Sequence, residues 1–395
     1  MVGLQAKPVV ELGIDVLAGN QFKGLEGKRL GLITNQTGVN AAGVSTIDVL
    51  RANKDLNLVA LFAPEHGLYG AEAAGDDVAT IVDPRTNLPV YSLFGSTRKP
   101  TQEMLKNIDV LIYDLQDIGC RSYTYISTLG LAMEAAGEAK KEFYVLDRPN
   151  PLSGNRVEGM PLDPKYRSFV GEWEVPFVHG LTVGELAYMI HGENWINNRP
   201  KLTVVPMRGW TRSMHWPDTG LWWVPTSPHI PTVESAYNYP TTGLIGDVVL
   251  INNGVGYTLP FSLVGAPGVD AYSLTASLNA RNLAGFFFRP CSYRPFYTPA
   301  EGKLMCGVQI YYANIADTNL CNCAMFLLEE FRHRLGPDIF DKMSADQSSM
   351  FVKECGGPTI MEHFRAGKPA SEIIQSWEPY LQDFRSHRAK YLLYK

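Results

Sequence analysis

Short apolar runs that alternate with longer amphipathic stretches organise the first half of the chain. Continuous apolar runs bounded by polar clusters are typical of strands buried on both faces of a parallel sheet. Helical patterns between them predict βαβ units with right-handed crossovers. Strands are predicted at 28–34, 58–62, 88–93, 110–113, 142–146 and 201–206, and helices at 45–53, from Thr101, at 127–140 and at 182–195.

The second half of the chain carries a different pattern. Residues 208–240 are rich in Trp, Pro and His, which predicts an extended segment with a domain boundary near it. The fold class is therefore predicted as α/β, with a Rossmann-like, mostly parallel sheet domain over residues 1–232 and a smaller α+β domain over residues 233–395. Further helices are predicted at 273–283, 318–335 and 371–384, and a strand at 304–312.

Polar side chains cluster directly after four of the predicted strands. Because the carboxyl ends of neighbouring parallel strands share one edge of a sheet, these clusters are expected to converge there and to form a ligand site. The richest cluster lies within DVLIYDLQDIGCRSYTYI at 109–126. The cluster members are Asn35 and Gln36; Glu65 and His66; Asp114, Gln116, Asp117, Arg121, Tyr123 and Tyr125; and Asp147, Arg148 and Asn150.

Composition limits the classes of protein and partner. With 395 residues, 45% hydrophobic and 19% charged, the chain has an ordinary globular composition. A net charge of −5 without a basic block argues against nucleic-acid partners, and no apolar run reaches the length of a membrane span. Six cysteines are too few for a disulfide-built scaffold, although one bridge in the last third stays open; Cys321 and Cys323 are interpreted as packed thiols.

Several well-marked motifs are missing from the sequence. It contains no G-x-x-x-x-G-K-[ST] phosphate loop, no H-E-x-x-H and no G-x-S-x-G nucleophile elbow. A Rossmann-like sheet without a phosphate-binding turn argues against a nucleotide, so no cofactor is expected. A metal site of His66, Asp114 and Asp117 is chemically possible, but the spacing does not support it, and no metal is expected.

Carboxyl groups in an aromatic, arginine-bearing crevice are the chemistry that remains. Glu65 lies between an apolar strand and a glycine-bearing loop, where partial desolvation would raise its pKa, as a general acid requires. His66 is interpreted as an acid/base group, a ligand or a structural hydrogen-bonding residue. Asp114 and Asp117 are candidates for a second catalytic carboxyl group, because paired carboxyl groups flanking a bond are the usual device of glycoside hydrolysis.

Amide, arginine and aromatic side chains suit the hydroxyl, acetamido and carboxylate groups and the apolar faces of sugars. Structural alternatives stay open: Glu65 as a cap or surface acid, the cluster at 114–125 as a helix cap with an Asp–Arg pair, and Glu158 and His179 as solvated loop residues. The candidate substrate-binding residues are Asn35, Gln116, Arg121, Tyr123, Tyr125, Arg148, Asn150, Glu158 and His179.

Seven collinear runs carry long, chemically unusual combinations of residues: GLITNQTGV (31–39), LFAPEHGLYG (61–70), DVLIYDLQDIGCRSYTY (109–125), VLDRPNPLSG (145–154), VEG (157–159), PFVHGLTVGELA (176–187) and SPHIPT (227–232). These runs resemble the DUF1343 family, which includes exo-β-N-acetylmuramidases of the NamZ type. The resemblance extends from about Lys28 to the C-terminus.

The resemblance implies a Rossmann-like catalytic domain, an auxiliary C-terminal domain and an active-site cleft between them. It also implies release of N-acetylmuramic acid from the non-reducing ends of peptidoglycan fragments, so that the partner is a peptidoglycan-derived saccharide. The glutamate of the P-E-H-G motif falls on Glu65, the first choice for a general acid or acid/base. The residues that fall on the family's site-forming loops are His66, Asp114, Gln116, Asp117, Arg121 and Tyr123.

One loop departs from the family pattern. Where many members carry a run like E-G-R-G-T-x-x-P-F, this chain has NGVGYTLPF at 253–261. Asn253 and Val255 thus replace an acid and an arginine, and His229 stands where Asn is common. Arginine is the natural bidentate partner of the lactyl carboxylate of N-acetylmuramic acid. The loss therefore favours two alternatives, a glycosidase with altered amino-sugar specificity or a catalytically weak saccharide-binding protein.

The predicted function is that of a bacterial cell-wall glycosidase acting from the chain end on a β-linked amino sugar. A metal-dependent hydrolase is the last-ranked alternative. The substrate favours an exported protein in the periplasm or cell envelope, with a leader absent from this sequence, and a cytoplasmic location stays open. The sequence predicts no particular oligomeric state.

Overall fold

A seven-stranded sheet forms the centre of the first half of the protein in the computed structural model, which describes residues 9–76, 79–248 and 250–395. Its strands are β1 (Arg29–Thr34), β2 (Asn57–Ala63), β3 (Ile81–Val82), β4 (Pro89–Ser92), β5 (Val110–Asp114), β6 (Glu142–Leu146) and β7 (Lys201–Val205). They follow the order β3-β4-β2-β1-β5-β6-β7, and every neighbouring pair is parallel except β3 with β4. The predicted Rossmann-like, mostly parallel sheet is confirmed.

The apolar runs occupy the inner strands of this sheet. All residues of β5 are buried, and its register on β1 pairs Leu30 with Val110 and Thr34 with Asp114. Strand β1 lies between β2 and β5, so the strand order reverses there. A reversal of this kind leaves a crevice at the carboxyl ends of the strands.

Helices connect the strands, and several begin at the capping residues that the sequence predicts. The hydroxyls of Ser45, Thr101 and Thr182 each accept a hydrogen bond from the backbone N–H three residues later. The helices of this half are α1 (Gly13–Gly19), α2 (Thr46–Ala52), α3 (Gln102–Leu105), α4 (Tyr125–Glu138) and α5 (Val183–Gly192). Helix α4 begins two residues earlier than predicted, and α5 ends three residues earlier.

A three-stranded antiparallel sheet flanked by helices makes up the second half of the described chain, which confirms the predicted smaller α+β unit. Its strands are β8 (Leu263–Ala266), β9 (Phe286–Tyr293) and β10 (Met305–Tyr312), in the order β8-β10-β9. The helices are α6 (Val233–Thr242), α7 (Ala271–Ala280), α8 (Leu320–Leu335), α9 (Ala345–Cys355), α10 (Thr359–Arg365) and α11 (Ala370–Arg388). Helix α7 packs on β9 and β10, and α8 packs on α6, α7 and α11.

Helix α6 lies in the segment that the Pro-rich pattern predicts to be extended. It begins after Thr232, whose hydroxyl accepts a hydrogen bond from the N–H of Ser235 at 3.3 Å, and it contains Pro240. Packing on α8 stabilises the helix despite this proline. The pattern also does not reveal α1, α9, α10, β8 and β9.

The last residues of the chain return to the first half. Nη1 of Arg388 donates to the carbonyl of Gly180 at 2.6 Å, and the hydroxyl of Tyr394 donates to Oδ2 of Asp147 at 2.5 Å. The C-terminal residues are therefore hydrogen-bonded to the first half of the chain. The division into residues 1–232 and 233–395 stays our proposal.

The six cysteines form no disulfide, and Cys321 and Cys323 are buried in α8. Among the residues described, no helix is both long enough and apolar enough to cross a bilayer.

Candidate active site

A cavity of about 650 Å³, here called the first cavity, lies where the loops after β2, β4 and β5 meet the second half of the chain. Its volume falls within the roughly 300–1,000 Å³ that is usual for small-molecule sites. The first half contributes Glu65, His66, Phe94, Arg98, Ser122, Tyr123, Thr124, Phe169 and Ser227 to its wall, and the second half contributes Tyr239, Asp247, Phe261, Lys353 and Glu354.

Glu65 is held in the wall of the first cavity by two hydrogen bonds. Oε2 accepts from the Thr124 hydroxyl at 2.5 Å, and Oε1 accepts from the N–H of Gly75 at 3.1 Å. Thr124 directly precedes α4, but its hydroxyl bonds to Glu65 and does not cap the helix. Both oxygens thus accept a hydrogen bond, and the two bonds orient the half-buried group.

His66 occupies a sharp turn after β2. Its backbone is left-handed at φ 72°, and that of Gly67 follows at φ 77°. A non-glycine residue in this region is strained and persists where the surroundings fix it, as they do at functional sites. Its Nδ1 donates to the carbonyl of Glu72 at 2.9 Å, which fixes the orientation of the ring.

The loop before α4 ties the two halves together beside the cavity. The hydroxyl of Tyr123 donates to Oγ1 of Thr226 at 2.8 Å, and the hydroxyls of Ser122 and Tyr239 lie 3.1 Å apart. The rings of Tyr123 and Tyr239 pack edge to face with centroids 6.0 Å apart. Tyrosine rings and hydroxyls thus reach the cavity in fixed positions.

Two cationic side chains face the same space. The guanidinium of Arg98 lies 4.6 Å from the centroid of the Phe169 ring and 5.7 Å from that of Phe94, so the two rings hold it at the rim. Lys353, on α9, is exposed and also lines the cavity. Within the described parts of the chain, neither cation forms a salt bridge. Both are therefore available to an anionic ligand.

Asp247 and Glu354 place two more carboxyl groups in the wall. Asp247 ends the short 3-10 helix Leu244–Asp247, and Glu354 lies near the end of α9. Burial raises the pKa of Asp247 to about 6. Burial and the adjacent charge of Asp247 raise the pKa of Glu354 well above its usual value, and the charge of Glu65 adds to the increase.

A second cavity of about 470 Å³ adjoins the first. The two share Ala74, Tyr239, Asp247, Phe261 and Glu354 in their walls. Asn253 and Val255, the residues that depart from the family pattern, line the second cavity only. The expected departure from that motif therefore lies at the second cavity.

His229 contributes to the first cavity from the SPHIPT run. It lies 2.7 Å, through Nε2, from the hydroxyl of Tyr297, and the two rings stack. Burial and the nearby charge of His66 lower the pKa of His229, so its ring is neutral near pH 7. It can offer a hydrogen bond but carries no charge to a ligand.

Asp114 and Arg148 form a buried ion pair away from the first cavity. Nε of Arg148 donates to Oδ1 of Asp114 at 2.6 Å, and the hydroxyl of Thr46 donates to Oδ2. Nη2 of Arg148 donates to the carbonyl of Val39 at 2.8 Å. The structure thus joins the clusters after β1, β5 and β6, but it does not bring Asp114 to Glu65.

Asp117 and Gln116 are buried in the same loop. Oδ1 of Asp117 accepts from the N–H of Gly119 at 2.6 Å, and burial raises the pKa of this carboxyl group to about 7. The amide of Gln116 donates to the carbonyls of Asp117 and Pro149, each at 2.8 Å. Both side chains border a small void of about 10 Å³ and neither lines the first cavity.

Arg121 is fully buried and holds backbone carbonyls. Nη1 donates to Met160 at 2.8 Å and to Val175 at 2.9 Å, and Nη2 donates to the carbonyl of Glu354 at 3.1 Å. Burial lowers the pKa of the guanidinium. An anionic group of a substrate cannot reach this guanidinium as predicted, because Arg121 has 0% exposure.

Asn35, Tyr125 and Asn150 are likewise buried and hydrogen-bonded within the protein. The amide of Asn35 donates to the hydroxyl of Tyr125 at 2.9 Å, which donates to the carbonyl of Thr226 at 2.5 Å. The amide of Asn150 donates to the carbonyl of Leu181 at 2.9 Å. These residues connect the loops beneath the site.

Glu158 and His179 are buried, not solvated. Oε1 of Glu158 accepts from Arg156, and Oε2 accepts from the N–H of Leu320 at 2.7 Å, so this carboxylate caps α8 of the other half. Nδ1 of His179 accepts from the N–H of Leu181 at 3.1 Å. Burial, with the charges of Arg388 and Arg121, lowers the pKa of His179 to about 3.

Three of the predicted site residues therefore meet at the first cavity: Glu65, His66 and Tyr123. The residues that sequence reasoning missed are Arg98, Asp247, Lys353 and Glu354. A signal existed for Arg98, which follows strand β4 as the other clusters follow theirs. No group of three or more His, Cys, Asp or Glu side chains is placed to hold a metal ion among the residues that the structure describes.

Comparisons with known proteins agree over almost the whole chain. Two family models match: exo-β-N-acetylmuramidase NamZ, N-terminal, over residues 30–234, and its C-terminal counterpart over residues 237–394. The peptidoglycan β-N-acetylmuramidase NamZ of Bacillus subtilis (strain 168) is 45% identical over 388 residues, which cover 98% of this chain and 92% of that protein.

Solved structures show the same fold. A DUF1343 family protein from Bacteroides fragilis NCTC 9343 is 45% identical and superimposes with a TM-score of 0.91, covering 98% of this chain and 99% of the other. A second DUF1343 family protein from the same strain is 30% identical with a TM-score of 0.78 and the same coverage.

Proposed function

The chain belongs to the exo-β-N-acetylmuramidase NamZ family, and we propose that it releases N-acetylmuramic acid from the non-reducing ends of peptidoglycan fragments. It is an exo-acting glycoside hydrolase. The observation that carries the proposal is the placement of Glu65 on a cavity that also presents two unpaired cations among the described residues. These are the groups that hydrolysis of an acidic amino sugar needs.

Glu65 supplies the catalytic carboxyl group. Its two hydrogen bonds, from Thr124 and Gly75, hold it between the start of α4 and the loop that follows β2. Positioned carboxyl groups transfer protons in the transition state and contribute about 10²–10⁴-fold to the rate. His66, next to it on the same turn, presents a ring to the same space.

Arg98 and Lys353 recognise the lactyl carboxylate that distinguishes N-acetylmuramic acid from N-acetylglucosamine. The family arginine replaced by Val255 would lie at the second cavity, whereas Arg98 is already held on the first by Phe94 and Phe169. A planar guanidinium binds a carboxylate through two parallel hydrogen bonds. The substitution at Val255 is thus compatible with a muramyl substrate.

Aromatic rings and small polar groups complete the recognition of the sugar. Phe94, Phe261 and Tyr239 offer apolar surface to the faces of the ring. Ser227 and His229 offer hydrogen bonds to hydroxyl or acetamido groups. A cavity of about 650 Å³ admits a single sugar with its substituents.

We further propose that the protein acts in the cell envelope, because its substrate is found there. Fractionation of the source cells, followed by immunoblotting, tests this location. Recovery in the periplasmic or envelope fraction is expected, and recovery only with cytoplasmic markers would contradict it.

The function is tested by turnover of nitrophenyl β-N-acetylmuraminide beside nitrophenyl β-N-acetylglucosaminide, with muramyl-glucosamine disaccharide as the natural-type substrate. We expect cleavage of the muramyl compounds alone, unchanged by a chelator. Equal cleavage of the glucosaminide would select the alternative of altered specificity. Tight saccharide binding without turnover would select the binding protein, which the Asn253 and Val255 substitutions favour.

A further inference from the structure

The carboxyl groups of Asp247 and Glu354 lie beside one another in the wall that the two cavities share. They come from different elements, the 3-10 helix Leu244–Asp247 and helix α9, and neither belongs to a motif of the sequence. Both also share that wall with Tyr239, Phe261 and Ala74. The pair therefore stands where the two cavities adjoin.

Asp247 and Glu354 are half-buried, and two like charges side by side in a poorly solvated site repel strongly, so one of the two carboxyl groups keeps a proton. Oδ2 of Asp247 is buried and has no hydrogen-bond donor among the described residues. A proton on the neighbouring carboxyl group supplies the missing donor. The pair thus holds one proton between its two members, and burial raises the pKa of both.

Glu65 belongs to the same cavity and is electrically coupled to the pair, since its charge acts on Glu354. The two sites differ in their hydrogen bonds. Both oxygens of Glu65 accept hydrogen bonds, from Thr124 and Gly75, whereas Oδ2 of Asp247 has no donor among the described residues. A carboxylate at Glu65 and a shared proton on the pair would be the two forms that glycoside hydrolysis requires.

We propose that the Asp247–Glu354 pair is the proton donor of the hydrolysis and that Glu65 is its base; this inference rests on the proposed function. The pair gives its proton to the glycosidic oxygen as the bond from that oxygen to C1 of the muramyl sugar breaks. The oxygen of a water molecule bonds to C1, and one proton of that water passes to Glu65. Once the products leave, Glu65 releases its proton to solvent and the pair takes one back, so that one water is consumed per bond.

The two cavities give this step a direction. The first cavity, with Arg98 and Lys353, takes the sugar that is released. The second cavity, lined by Asn253, Val255 and Lys303, takes the remainder of the fragment. The pair, present in both walls, then stands beside the bond that connects the two parts.

The charged and titratable groups around the pair come from several elements: Glu65, Arg121, Tyr239, Lys353 and Cys355. Of the two cations in this group, Arg121 is the buried one, and it donates a hydrogen bond to the carbonyl of Glu354. Burial and the charges of Asp247 and Glu65 raise the pKa of Glu354 more than the charge of Arg121 lowers it, so the shared proton stays on the pair.

The test compares Glu354→Gln, Asp247→Asn and Glu65→Gln on two muramyl substrates, with the exposed Glu362→Gln as the matched control. A nitrophenyl group departs without protonation, whereas the sugar alcohol of the disaccharide needs a proton. We expect Glu354→Gln and Asp247→Asn to lower kcat on the disaccharide about 10²–10⁴-fold and on the nitrophenyl substrate less than about tenfold. Glu65→Gln should lower both alike.

The pH profile provides a second readout, which a merely structural role would not move. Without a neighbouring acid, the remaining carboxyl group loses its proton more easily. The alkaline limb of kcat/KM should therefore shift to lower pH in Asp247→Asn and in Glu354→Gln, with KM nearly unchanged. Circular dichroism of each variant shows whether it folds, and Asp247→Asn tests the pair if Glu354→Gln does not fold.

Two results would overturn this inference. One is an equal decrease in kcat on both substrates in Glu354→Gln and Asp247→Asn. The other is activity of both variants within a few-fold of wild type together with an unchanged alkaline limb of the pH profile. The proposed function would survive either result, because it depends on wild-type turnover of the muramyl compounds. If the wild-type protein cleaves no muramyl compound, the function and the inference both fail.

Discussion

Nη2 of Arg121 donates a hydrogen bond to the carbonyl oxygen of Glu354 at 3.1 Å, although the two residues are 233 positions apart in the chain. The same guanidinium also bonds to the carbonyls of Met160 and Val175. Arg121 thus fixes the backbone that carries a carboxyl group of the first cavity. The loop motif that the sequence assigns to substrate binding contributes here through positioning.

Arg121→Lys should lower stability with little effect on substrate binding. Lysine keeps the charge but lacks the planar fork that reaches three carbonyls, and each buried carbonyl left unpaired costs about 1–3 kcal/mol. We expect the free energy of unfolding in urea to fall, while KM for the nitrophenyl muraminide changes less than about twofold. A large increase in KM at unchanged stability would show instead that Arg121 binds the substrate.

Arg98→Ala should weaken recognition of the acidic substituent. The loss of one charge-assisted contact corresponds to about 1.5–3 kcal/mol, or roughly 10- to 100-fold in affinity. We expect the inhibition constant of free N-acetylmuramic acid to increase by this factor and that of N-acetylglucosamine to stay the same. The control is Arg51→Ala, an exposed arginine of α2. An equal loss for both sugars would mean that Arg98 does not contact the lactyl carboxylate.

Asp114→Asn should destabilise the fold, because it leaves the Arg148 guanidinium buried without its anion. Removing one partner of a buried ion pair costs about 3–5 kcal/mol. The exposed pair of Arg29 and Asp109 provides the matched control, and Asp109→Asn should cost less than about 1 kcal/mol. Urea unfolding measures both. Loss of kcat in Asp114→Asn without loss of stability would restore Asp114 as a catalytic residue.

The buried His179 should cause the free energy of unfolding to decrease as the pH is lowered. Its pKa is about 3 in the folded protein and near 6.5 when unfolded, so below pH 6.5 the unfolded chain binds a proton that the folded chain does not. The free energy of unfolding is therefore lower by about 2 kcal/mol at pH 5, and the decrease grows down to about pH 3. His179→Asn keeps an acceptor for the N–H of Leu181 and should remove this part of the pH dependence. Identical unfolding curves against pH in both proteins would refute the assignment.

The sheet could be predicted because its strands are local patterns. Each inner strand is a short apolar run, and the capping hydroxyls of Ser45 and Thr182 mark helix starts within a few residues. Strand β9 could not be predicted from its pattern because Pro290 interrupts the run. Its position at the edge of the sheet explains why proline is tolerated there.

The site could be predicted only in part, for a related reason. Glu65 and His66 follow a strand directly, so the position of that strand in the sheet brings them to the crevice. Asp114 is the last residue of strand β5, but the buried Arg148, which follows β6, neutralises it. Asp247 and Glu354 meet only through the packing of the second half, which leaves no local signal.

Turnover of nitrophenyl β-N-acetylmuraminide by wild type and Glu65→Gln tests the central claim most directly, with Glu72→Gln, an exposed acid on the same loop, as the control. We predict that Glu65→Gln lowers kcat/KM by at least about 10²-fold while its circular dichroism spectrum stays that of wild type. The kcat/KM of Glu72→Gln should stay close to the wild-type value. Activity of Glu65→Gln within a few-fold of wild type would contradict the account.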